Sequence, residues 1–283
     1  MNPMTDWELP GSRGLPIRGS THLPAEDPRA VMLVVHGFKG YKEYGMFPWL
    51  ASRFAAAGHV VHRVNLSHSG MDHGHGAFDD EVFVQDTWNR GVEDLLILLE
   101  AIDRGRLAGQ GRGAVLFGHS RGGATCLLAA GRHGREEAFG PVTGLISLSS
   151  PASLNRMPQT DAATLLEQGT LATPSSRTGQ TLHIGAGWLQ EQRDDPAGHD
   201  LLRQVESIRC PVGLIHGADD PTVPPSDAVT IAQANPGKVR VHVVGDGDHV
   251  FNTPNPFPAD GEPSPQLAEV LAASTEWIDA WVE

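Results

Sequence analysis

The chain has 283 residues, 40% of them hydrophobic, with 33 glycines, 21 prolines and few aromatics (6%). That is enough apolar material for one sizeable α/β core with many short connections, and it is not the make-up of a long-helix bundle. The 34 acidic side chains outnumber the 21 basic ones, giving a formal charge of −13. Such a surface repels phosphate backbones and anionic lipid heads, which speaks against nucleic acid and membrane as partners.

Short β-type runs alternate with longer helical patterns. Residues 31–35 form a near-continuous apolar run, as in a strand covered on both faces. Residues 47–57 read as a helix ended by Gly58, and residues 59–64 as the next strand. Residues 86–104 carry Val92, Leu95, Leu96, Leu99 and Ile102 at helical spacing, with Gly105 as a stop. A buried strand over 114–117 is followed by an Ala- and Leu-rich helix over 122–133. Residues 145–148, 212–215 and 239–244 read as further strands. A closing helix spans 266–282, with Leu267, Val270, Leu271, Ile278 and Trp281 as core contacts. This order predicts a mainly parallel sheet with helices on both faces.

Residues 151–205 break the rhythm. They are polar, contain Pro151, Pro158, Pro174 and Pro196, and are too long for an ordinary loop. They read as a small cap inserted into a single domain spanning 1–283. The Pro-rich stretch 254–265 reads as an exposed loop.

Two cysteines, Cys126 and Cys210, read as buried thiols, one in a helix and one at a strand start. Residues 1–7 lack a basic segment followed by an apolar one, so no signal peptide is expected. The longest apolar runs are strand-length, so no transmembrane helix is expected either, and a cytoplasmic protein is the default.

The sharpest chemical signal is Gly118-His119-Ser120-Arg121-Gly122-Gly123, placed between a strand and a helix. G-x-S-x-G in that context is a nucleophile elbow. The turn strains the serine backbone, and side chains on the flanking glycines would strike the strand or the helix. The helix N-terminus beneath the serine favours developing negative charge. Ser120 is thus the candidate nucleophile.

Four motifs in this order resemble the α/β-hydrolase superfamily over roughly residues 15 to 283, and more narrowly its compact bacterial esterase and dienelactone-hydrolase-like branch. The resemblance implies that His36-Gly37-Phe38-Lys39-Gly40 supplies one oxyanion donor, the N–H of Phe38. His36 would brace that loop. The second donor would be the N–H of Arg121, whose side chain would brace nearby loops. His216-Gly217-Ala218-Asp219-Asp220-Pro221-Thr222-Val223-Pro224 resembles the acid-bearing segment, and its register selects Asp220, with Asp219 the neighbouring alternative. Gly245-Asp246-Gly247-Asp248-His249-Val250-Phe251 places His249 as the general base, with Asp246 and Asp248 on the wet side of the loop.

The remaining signals are weaker. Residues 65–70 (Asn65-Leu66-Ser67-His68-Ser69-Gly70) read as a structural loop at the site rim. His68, His73 and His75 raise a metal site, but the flexible His-Gly-His and the absence of nearby cysteine argue against it. Lys39, Tyr41, Lys42 and Tyr44 are expected at the entrance and mostly solvated. Trp188 and Leu189 are acyl-pocket candidates or the cap's own core, and Tyr44 and Phe251 complete the expected pocket. The expectation is a cofactor-free, metal-free serine esterase acting on small to medium acyl esters through an acyl-enzyme. A thioesterase, peptidase or acyltransferase on the same triad, or a non-catalytic binding protein, are the rivals.

Overall fold

A computed structural model describes residues 4–72, 76–134, 136 and 142–282. An eight-stranded sheet runs through the molecule. Its strands are β1 (Met4–Pro10), β2 (Pro16–His22), β3 (Ala30–Val35), β4 (His59–Asn65), β5 (Ala114–His119), β6 (Val142–Leu148), β9 (Val212–Gly217) and β10 (Val239–Val244). A separate antiparallel hairpin pairs β7 (Thr170–Pro174) with β8 (Thr181–Gly185). The main sheet is ordered β1-β2-β4-β3-β5-β6-β9-β10, and only the β1–β2 and β2–β4 pairings are antiparallel.

The apolar runs form strands because both faces of each are covered. Val31, Leu33 and Val35 point to one layer, Met32 and Val34 to the other. The first layer holds α3 (Trp88–Asp103), α4 (Arg121–His133), α7 (Leu201–Glu206) and α8 (Ser226–Ala234). The second holds α1 (Met46–Ala56) and α9 (Pro265–Val282). Of the expected α9 contacts, Leu267, Val270 and Ile278 are buried, while Leu271 and Trp281 pack at the margin. The short α2 (Asp80–Phe83) is capped by Asp79, whose carboxylate accepts the N–H groups of Glu81 and Val82.

The chain winds from β3 outward to β4, then returns to β5 on the other side. That reversal opens a crevice at the carboxyl ends of β3 and β5, the place where open α/β sheets receive ligands.

The stretch read as an irregular cap is ordered. It contains α5 (Gln159–Gln168), the β7–β8 hairpin and α6 (Gly187–Asp194). Its expected end at 205 takes in α7, but Leu201 and Val205 of α7 belong to the main core and pack beside α4. The stretch between β6 and α7 therefore ends near residue 200. The hairpin's Leu182 joins Tyr41, Met71, Phe78 and Phe83 in a third apolar cluster that ties it to the sheet side. The loop 254–265 is pinned as well: Trp49 Nε1 donates to the Gly261 carbonyl (3.0 Å), and the Asn255 amide donates to the Tyr41 hydroxyl (3.1 Å).

Cys126 lies buried in α4, and Cys210, half-buried, precedes β9; both are free thiols. Burial pushes the Cys210 thiol up to about 11 and Cys126 higher still.

Candidate active site

Four strand ends converge on the crevice. β3 leads into His36-Gly37-Phe38, β5 into Ser120, β9 into Asp220 and β10 into His249. Ser120 sits at the cap position of α4 with φ 54° and ψ −122°, a conformation that is costly for a residue with a Cβ. The surroundings enforce it. The Ser120 N–H donates to Leu148 O (2.7 Å), and its carbonyl accepts from Ala124 N (3.1 Å) and Ser150 Oγ (2.9 Å).

The glycines of the elbow answer to close approach. A Cβ on Gly122 would lie 2.4 Å from the His36 carbonyl oxygen, and one on Gly123 would lie 2.1 Å from Ser150 Oγ. One on Gly37 would meet the Ser120 Cβ at 3.0 Å, so β3 and β5 can approach this closely at their ends only without a side chain there.

Asp220 and His249 are joined across the β9 and β10 loops. The His249 Nδ1–H donates to Asp220 Oδ2 (2.8 Å), because a carboxylate only accepts. In the neutral ring that leaves Nε2 as the acceptor. Asp220 is fully engaged: its Oδ1 accepts the N–H groups of Thr222 (2.8 Å) and Val223 (2.9 Å), and His216 Nε2 lies 3.3 Å from Oδ2. Its side chain is 0% exposed. Burial alone would raise its pKa, but the hydrogen bonds from His216, His249 and Val223 outweigh it and hold the carboxyl well below the usual range. Asp219, the alternative, is exposed and its N–H bonds Gly247 O (2.9 Å), so the partner of His249 is Asp220.

Three further histidines brace these loops. His36 Nδ1–H donates to Gly37 O (2.8 Å), and its Nε2 accepts the Leu66 N–H (3.3 Å). His216 Nε2–H is shared between Val223 O (2.9 Å) and Asp220. His119 Nε2–H donates to the His249 carbonyl (2.8 Å), and the two rings lie 4.8 Å apart. Burial, followed by the neighbouring His249, pushes His119 down to about 3, and burial pushes His36 down to about 4. Sequence reasoning passed over His119 as the variable residue of the elbow.

Arg121 does brace loops: its guanidinium pairs with Asp86 (2.8 Å) and lies over the Trp88 ring (4.7 Å). Burial raises Asp86 to about 6, against the opposing pull of Arg121. Asp248 holds its own turn, accepting the N–H groups of Val250 and Asn252, while Asp246 is exposed.

Ser120 lies between two cavities. The larger, about 720 Å³, is bordered by Phe38, Trp88, Leu154, Leu171, Ile184 and Trp188, among others, with Arg156 and Asp161 at its edge. The smaller, about 190 Å³, is bordered by Gly37, Phe38, Tyr44, Arg177, Thr222 and His249. Of the residues expected at a pocket, Trp188 borders the larger cavity and Tyr44 the smaller. Leu189 is buried and borders a different hollow, away from Ser120. Phe251, expected in the pocket, lies in the core instead. It is 0% exposed and joins the core with Phe47 and Leu267, because the tight turn after His249 (Phe251 φ 56°) folds its ring inward. Tyr41 and Lys42 also differ from the expectation. Both are buried rather than solvated, Lys42 by ion pairing with Glu43 (2.7 Å). The loop at 65–70 is structural, as read: Asn65 Oδ1 accepts the Lys42 N–H, and Ser67 bonds the buried Asp94.

His73 and His75, raised for a metal, lie outside the described residues. Among the described residues, no group of three or more His, Cys, Asp or Glu side chains is arranged to hold a metal ion. Nor is any described helix long and apolar enough to cross a membrane.

Residues 26–194, more than half of the chain, match the hydrolase family described as serine aminopeptidase, S33. The chain belongs to this family. Solved structures across the α/β-hydrolase superfamily superpose on the hydrolase along nearly its full length. Est1E from Butyrivibrio proteoclasticus is 16% identical, with 98% of each chain covered and a TM-score of 0.68. The esterase domain of a Rhodothermus marinus protein is 18% identical, with 99% of this chain and 100% of that one covered and a TM-score of 0.66. Alpha/beta hydrolase domain-containing protein 10 from mouse is 18% identical, with 98% and 99% covered and a TM-score of 0.69. At such identities the likeness is one of fold. No curated protein matches the sequence.

Proposed function

We propose that the hydrolase is a serine esterase that cleaves carboxylic esters of small to medium acyl groups through an acyl-enzyme. The carrying observation is that Ser120, strained at the elbow, borders the same small cavity as His249, whose other ring nitrogen is fixed on the buried Asp220. In this reading Ser120 Oγ attacks the acyl carbon while His249 Nε2 takes the hydroxyl proton. The N–H groups of Phe38 and Arg121 receive the oxyanion. Arg121 opens α4, where the first N–H groups have no intrahelical partner. Each such donor is worth about 3 kcal/mol of barrier. The imidazolium, stabilised by Asp220, then protonates the leaving alkoxide. His249 next deprotonates a water that attacks the acyl-enzyme, and the free acid and Ser120 are regenerated.

The apolar lining of the larger cavity suits an acyl chain, and esterases among the structural neighbours point the same way. An aminopeptidase must also hold a protonated α-amine. The charged groups on the larger cavity are Arg121, Arg156 and Asp161, two cations to one anion, and the smaller cavity adds Arg177. Arg121 is neutralised by Asp86 and Arg156 by Asp227, so it is Arg177, beside Ser120 and His249 on the smaller cavity, that disfavours an ammonium group there. Residues 151–200 act as a cap inserted in one catalytic domain.

A fluorophosphonate probe tests the nucleophile: wild type labels and Ser120→Ala does not. Turnover of p-nitrophenyl butyrate without turnover of butyryl thioesters or aminoacyl p-nitroanilides supports the ester reading. The reverse preference overturns it.

A further inference from the structure

The smaller cavity has a charge that the ester chemistry does not use. Arg177, in the turn between β7 and β8, reaches from the cap to the site. Its Nη1 donates to the carbonyls of Phe38 (2.9 Å) and Lys39 (2.5 Å), and its guanidinium lies over the Tyr44 ring at 4.3 Å. Both Nη1 hydrogens are thereby committed. Among the described residues, Nε and Nη2 have no hydrogen-bond partner, and no carboxylate lies within ion-pairing distance of Arg177. Beside it, Lys39 Nζ donates to Thr173 Oγ1 (2.6 Å) and to the Pro174 carbonyl (2.5 Å), both neutral, and it too has no carboxylate partner among the described residues. Two adjacent cations without a counter-charge are conspicuous in a chain of net charge −13. The side chains bordering the smaller cavity include no acid.

We infer that Arg177 is a specificity-determining residue that binds a carboxylate on the substrate's leaving group, so that the preferred substrates are esters of hydroxy acids. This rests on the esterase reading of Ser120 and His249. The Nε and Nη2 edge of a guanidinium is a two-pronged donor that matches a carboxylate, and Nη1 and the Tyr44 ring hold that edge in place. The limb follows from proton transfer. His249 borders the smaller cavity and not the larger, and it protonates the leaving oxygen, so the leaving limb starts there. At about 190 Å³ against about 720 Å³ for the larger cavity, the smaller one suits a short leaving group, and the larger one the acyl chain.

The test compares O-butanoyl-lactate with O-butanoyl-lactamide, which differ only in the charge of the leaving limb, following butyrate release. Wild type is expected to favour the lactate in kcat/KM by about tenfold or more, the range of a charge-assisted hydrogen-bonded pair. Arg177→Met brings that ratio to about one, and Arg177→Lys restores part of it. Fluorophosphonate labelling of each variant reports that the fold and Ser120 are intact. A ratio that stays the same while both substrates slow equally in Arg177→Met makes the residue a clamp on the Phe38 loop and overturns the assignment. So does a wild type that labels but shows no preference, or turns over neither substrate. A wild type that does not label overturns the nucleophile reading itself, and the subsite falls with it.

Discussion

The sheet and the cap solve the same problem of holding side chains still, and they solve it differently. At the sheet's carboxyl edge the acceptors and donors are satisfied within the body: Asp220 takes four donors, and Ser120 is held through its own N–H and carbonyl. The cap has little core of its own. β7 alternates exposed and half-exposed residues, and α5 buries only Leu165. It borrows stability by leaning Leu182 on the sheet-side cluster and by the bonds of Lys39 and Arg177. The sheet edge is thus held from within a buried frame, and the cap largely by polar bonds to its surroundings, those of Gln180 with Phe78 and of His183 with Asp80 among them.

The sharpest way to break this division is Ser120→Ala, expected to lower ester turnover by about 10⁴-fold or more and to abolish probe labelling, with thermal unfolding unchanged. Asp220→Asn follows, with a loss of about 10⁴-fold in kcat/KM, because the amide cannot fix the Nδ1–H tautomer. A loss below tenfold in steady-state kinetics would detach Asp220 from the chemistry. Packing gives a paired contrast. Leu33→Ala in β3 is expected to cost about 2–5 kcal/mol of global stability in denaturant titrations. Leu182→Ala in β8 is expected to leave the main transition nearly in place while raising KM. Equal shifts in the main transition would mean that cap and sheet unfold as one.

The smallest and broadest effect is on pH. The folded state holds His36 and His62 down at about 4 and His119 at about 3, chiefly by burial, whereas an unfolded histidine takes its proton near 6.5. Between those values the unfolded chain binds more protons, so stability is full above about 6.5 and falls as pH drops toward 4, on the order of 1–3 kcal/mol per histidine. Asp86 and Asp94, raised to about 6 mainly by burial, work in the opposite direction over part of that range, binding protons first in the folded state. With His22 and His68 also held down at about 4, five buried histidines against two carboxylates predict a net fall in melting temperature from pH 6.5 to 4, and a flat or rising profile would show that burial at these sites relaxes.

The same division governs what could be read from sequence. Strands β3, β5, β6 and β9 announce themselves because a strand covered on both faces is largely apolar, β4 and the edge strand β10 through their valines, and the motifs naming Ser120, Asp220 and His249 are tied to the ends of β5, β9 and β10. The β1–β2 hairpin escapes because its residues alternate weakly, with β1 largely exposed. The cap's hairpin escapes for the same reason. Phe251 illustrates another limit: adjacency to His249 says nothing about side-chain direction once the backbone turns through positive φ. His119 and Arg177 carry no periodic or motif signal. One acts through a hydrogen bond to a carbonyl 130 positions away and the other through carbonyls 138 and 139 positions away.

Those last bonds have a mechanical meaning. The hairpin grips the loop through Arg177, and the loop grips the hairpin through Lys39, so the two are latched in both directions around the peptide that offers the Phe38 N–H. A pull on the hairpin is delivered first to that peptide. On the proposed reading, in which the Phe38 N–H receives the oxyanion, any displacement of the hairpin would be felt at that peptide as well as at the Arg177 edge offered to the leaving group.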